Sequence, residues 1–177
     1  LPDGTLTVSP RISQFTPFLA NVTIDALVYN AKGHGIFAPI WDDAAVGVIA
    51  NLLPLLAEYG IKGTFAIPVN FIGQPGRLNW DQVRYIASLG HCIIGNTKND
   101  VGIVSGFASD AALVADYTNV DGTGWKEILL AQVPSAWVFA MALSNGEFNE
   151  PRLAALQAAG LLMARTTDPQ YLYNRLG

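Results

Sequence analysis

The chain has 177 residues, of which 51% are hydrophobic and 14% charged, with a formal net charge of −4. That length suits one domain with a substantial core. The acidic balance argues against nucleic acid or an anionic membrane surface as the main ligand. No apolar run approaches the roughly 20 residues of a membrane span, and a single cysteine, Cys92, excludes an internal disulfide while leaving the redox compartment open. The first residue is Leu1 rather than Met, as in a processed product or a fragment.

Residues 1–21, with Pro2, Pro10 and Pro17, show no sustained period and read as an extended arm. "VTIDALVY" (22–29) reads as a strand, "AKGHG" as a turn with His34 in solvent, and "IFAPIW" (36–41) as a buried strand. Residues 1–35 therefore form a lead-in arm and strand, and residues 36–177 the domain proper. Directly after the strand 36–41 stand two adjacent carboxylates, Asp42 and Asp43. From Val46, apolar residues recur at helical spacing through Tyr59, and Gly60 supplies a stop. Pro54 interrupts this pattern, and Asn51 is placed to cap a helix that restarts with Pro54 in its first turn.

"IKGTFAIPV" (61–69) is the next strand, and Asn79 with Gln82 forms a capping box for a helix over 80–89 that Gly90 ends. "CIIG" (92–95) reads as a short buried strand, 109–117 as a helix, and "AWVFAMA" (136–142) as a strand. Asn149 caps a helix with Pro151 in its first turn, and "LLMA" (161–164) is a last strand. Alternating strands and helices predict an α/β fold with a mainly parallel sheet or barrel. Chemistry in such folds collects at the carboxyl ends of strands. Asp42 and Asp43, and then Asn96 to Asp100, fall at such ends and are expected on one face.

In "PIWDDA", "LPLLAEYGIKGTF", "LNWDQVRYIASLGH" and "GEFNEPRLAALQAAGLLMARTTDP", the chain resembles the polysaccharide deacetylase (NodB-homology) family of carbohydrate esterases. The matches run over roughly residues 36–170. The resemblance implies a (β/α) barrel of the deacetylase type, incomplete or distorted here. It implies that Asp42 is the base and Asp43 a ligand of a divalent metal that polarises an acetyl carbonyl and activates water. The family's two histidine ligands lie in a Gly-His-Glu-Ile-Gly-x-His-x-x-x-His pattern, whereas this chain has "GHCIIGNTKND", with Asn96 and Asp100 in their places. The glycine after the acid pair is Ala44, the third motif lacks its Arg and Pro-aromatic pair at Ala142 and Leu143, and the late histidine motif would lie beyond the "ARTTDP" segment.

An Asn amide oxygen is a poor zinc ligand. Asp43, Asn96 and Asp100 would suit Ca²⁺ or Mg²⁺ better than Zn²⁺, and the expectation is that no cofactor is needed. The bland alternative is that one of the acid pair caps the following helix, accepting from backbone N–H groups near Val46. That is the expectation adopted. His91 is expected in a structural hydrogen bond, Cys92 as a small buried hydrophobe, and Trp125, in the loop-like "DGTGWKE", as the aromatic best set to stack on a sugar. The first expectation for function is a degenerate, non-hydrolytic module for carbohydrate binding or assembly. Its expected partners are glycans and other protein subunits, in an extracellular, cell-surface or virion setting such as a phage tail. The second is an active metal-dependent deacetylase with oxygen ligands and a histidine from another chain.

Overall fold

A computed structural model describes residues 39–167. The predicted arm and strand of residues 1–35, with His34, lie outside them. Five strands form one sheet in the order of the sequence: β1 (Ile40–Trp41), β2 (Thr64–Ile67), β3 (Cys92–Gly95), β4 (Trp137–Ala142) and β5 (Met163–Arg165). Every neighbouring pair is parallel. The helices are α1 (Leu53–Glu58), α2 (Trp80–Ser88), α3 (Asp110–Tyr117), α4 (Trp125–Gln132) and α5 (Glu150–Ala158). The sheet curls into a half-barrel, the incomplete (β/α) barrel that the sequence predicts.

Strand alternation sorts the core into two sides. Phe65, Ile67, Ile93 and Met141 point under the helices and join Leu56, Val83, Ile86, Leu113, Leu129 and Leu156 in the main core. On the other side Ala66, Ile94, Ala140 and Ala142 make a small cluster. At the start of β4, Trp137 and Phe139 stack with centroids 5.7 Å apart and remain exposed.

Local signals built most helices as expected. The Asn79–Gln82 capping box closes in both directions, at 2.8 and 2.9 Å. Asn149 Oδ1 accepts from the Arg152 N–H at 2.9 Å, with Pro151 in the first turn of α5. After the acid pair the outcome differs. Asn51 caps nothing, because it lies inside a π-turn, Val48–Leu52, that feeds directly into α1. The wider turn is closed by the Leu53 N–H bonded to the Val48 carbonyl, and Pro54 then enters the first turn of α1, where its missing N–H costs little. The helix α4 has no local signal in the sequence: its N-cap, Gly124, offers no side-chain cap to announce it.

Candidate functional site

The carboxyl ends of β1, β3, β4 and β5 bring together Asp42 and Asp43, Asn96 to Asp100, Ser144, and Arg165. The acid pair lies in a strained turn. Asp43 has φ 67° and Ala44 φ 50°, left-handed conformations that cost a non-glycine residue roughly 1–2 kcal/mol. The loop after β2 holds this turn in place. Arg77 Nη1 donates to the Asp43 carbonyl at 2.5 Å, the Leu78 N–H to the Ala44 carbonyl at 2.7 Å, and the Val46 N–H to the Gly76 carbonyl at 3.0 Å.

That last bond corrects the expected helix cap. The Val46 N–H is taken by Gly76, and neither Gly47 nor Leu52, which open the helical turns, has a side-chain cap. The two aspartates face elsewhere. Asp42 forms an ion pair with Arg165 Nη2, across 123 residues of sequence and between the two edge strands of the sheet. The Asp43 carboxyl faces that of Asp100. Its pKa is raised, first by desolvation and then by Asp100, with Arg77 opposing. No local signal marks Arg165 as a site residue, because only the curl of the sheet brings β5 back towards β1.

Asn96 is 1% exposed. Its Oδ1 accepts from the Thr97 N–H at 2.7 Å and from Ser144 Oγ at 2.6 Å, and its Nδ2 donates to Asp100 Oδ1 at 3.0 Å. Asp43, Asn96 and Asp100 are therefore close, but they do not fit the ligand set that the resemblance implies. Metal coordination would use the amide oxygen, which already accepts from two donors, while the NH₂ donates to the Asp100 carboxylate. Among the described residues no cluster of three or more His, Cys, Asp or Glu side chains is arranged to hold a metal ion.

Behind this site, Asp116 steadies the loop from α3. Its carboxylate accepts from the Lys98 N–H at 3.0 Å, with the Lys98 ammonium at 3.8 Å, and burial pushes its pKa up. Trp125, expected to face a sugar, is 1% exposed. Its ring packs 4.9 Å from that of Tyr117 and lies on Gly95, so the core holds it and neither ring face is open to a ligand.

His91 lies at the amino end of β3, away from the acid pair. Its Nδ1 accepts from the Gly63 N–H at 3.1 Å, which is the expected structural bond. Desolvation, and secondarily Lys62, holds its pKa below 6.5. A depressed histidine pKa stabilises the fold above the unfolded value, and that stabilisation is lost as pH falls below it. Between about pH 8 and 5, denaturant titrations should show stability falling through this step. His91→Gln should flatten it, and an unchanged pH profile would remove His91 as its source.

No family profile matches the sequence, and no curated protein matches it. Solved structures do match. The Streptococcus pyogenes deacetylase PplD, in complex with acetate, superposes with a TM-score of 0.61 at 19% identity over 73% of this chain and 54% of that one. For the de-N-acetylase from Aggregatibacter actinomycetemcomitans the values are 0.58 and 18%, over 72% and 61%. For the BpsB deacetylase domain from Bordetella bronchiseptica they are 0.59 and 16%, over 75% and 64%. The chain thus spans 54–64% of the length of these structures. A parallel half-barrel in sequential strand order, with acids at the strand ends and this set of matches, has the fold of the polysaccharide deacetylases.

Proposed function

We propose that the chain is a non-hydrolytic polysaccharide-deacetylase-like module that binds glycan or serves in assembly with other protein subunits, in an extracellular, cell-surface or virion setting such as a phage tail. One observation carries the reading. Among the described residues the one histidine, His91, sits at the amino end of β3 and bonded to Gly63, so none of the described residues brings an imidazole beside Asp42 and Asp43 as ligand or acid. Asp42 is engaged by Arg165, and the Asp43 carboxyl faces that of Asp100. With the Asn96 oxygen already accepting from Thr97 and Ser144, the acid pair is poorly furnished to hold the ion that would polarise a carbonyl and activate water.

The relatives' deacetylase chemistry motivates glycans as the ligand class. The test is paired. Purified protein incubated with acetylated chito-oligosaccharides should release no acetate, with or without Zn²⁺, while calorimetry on the same oligosaccharides should show binding. Acetate release that chelation abolishes and Zn²⁺ restores would replace this reading with that of an active metal-dependent deacetylase. Neither release nor binding would leave assembly as the role.

A further inference from the structure

Two carboxyl groups close together pose an electrostatic problem that proteins often solve with a divalent cation. Here the group set against the Asp43–Asp100 pair is an amide. Asn96 Nδ2 donates to Asp100 Oδ1 at 3.0 Å, and the amide cannot turn over. The Thr97 N–H, 2.7 Å from Oδ1, can only donate, so a flipped Asn96 would set its NH₂ against another N–H. Ser144 Oγ, at the end of β4, donates to the same oxygen at 2.6 Å, and Thr97 Oγ1 lies 3.3 Å from Ser144 Oγ. Thr97 is 0% and Ser144 4% exposed, so water offers these groups little as a substitute.

We propose that the locked Asn96 amide takes the place of a metal ion in this chain: held by Thr97 and Ser144, it presents the positive end of its dipole to Asp100 and lets Asp43 and Asp100 stand together with no cation. The cationic neighbours complete the arrangement, with Arg77 bonded to the Asp43 carbonyl and Arg165 to Asp42. This inference is independent of the glycan-binding reading, since it concerns how the site is held and not what it holds.

Thermal unfolding of the full chain tests it. The parent Tm should be the same in EDTA and in millimolar Ca²⁺ or Mg²⁺. Asn96→Asp keeps an oxygen for Thr97 and Ser144 but replaces the NH₂ donor with a third carboxylate oxygen. Its Tm in EDTA should fall by several degrees, and Ca²⁺ or Mg²⁺ should restore it by binding the folded state. A parent Tm that rises with either cation would overturn the proposal, because the acid pair would then hold an ion of its own. So would an Asn96→Asp protein as stable in EDTA as the parent. Should that variant not fold with or without cation, the parent's response decides alone.

Discussion

Trp125→Ala is expected to lower the unfolding free energy by about 3–5 kcal/mol, read as a drop in the urea midpoint at unchanged slope. The indole is 1% exposed at the start of α4, against Tyr117 from α3. Its seat on the sheet exists because residue 95 is glycine: a Cβ there would collide with the six-membered ring of the indole. Truncation would therefore open a cavity between one strand and two helices, bordered by backbone and rings that cannot easily collapse into it. Gly95→Ala should destabilise the same contact from the other side, and the double variant should cost less than the sum of the two. A Trp125→Ala cost below about 1 kcal/mol, the range of a surface change, would mean that the indole is not in the core.

Asn96→Ala is expected to cost about 2–4 kcal/mol, because it strands buried donors as well as removing bonds. The Thr97 N–H loses its side-chain acceptor and Ser144 Oγ is left with the 3.3 Å approach to Thr97 Oγ1. Asp100 loses the amide donor that faces it. Chemical denaturation measures the loss. Ser144→Ala, which removes one donor and leaves the amide in place, should cost clearly less. Equal costs for the two variants would show that the bond to Ser144, and not the amide as a whole, holds the strand ends together.

Much of the half-barrel was legible along the chain because its signals are local. The box at Asn79 and Gln82, the Asn149 cap with Pro151, and the apolar run of β3 are complete within a few residues. Two segments lack such signals. Gly124 offers no capping side chain, so nothing local marks the start of α4 or distinguishes Trp125 from an exposed loop aromatic. Asn51 had the right residue type for a cap, but Pro54 was accommodated by a π-turn that no spacing announces.

The sequence by itself determined the alternation of strands and helices, the placing of Asp42, Asp43, Asn96 and Asp100 after strands, and the absence of histidines at the two expected positions. Only the tertiary structure decided what those side chains do. The Asp42–Arg165 ion pair joins residues 123 apart, and the Ser144–Asn96 bond residues 48 apart. Which way the Asn96 amide points depends on a hydroxyl from just beyond β4 together with its neighbour's N–H. Capping is settled within one turn of chain, whereas a buried polar side chain takes its orientation from donors that the fold brings in from other strands.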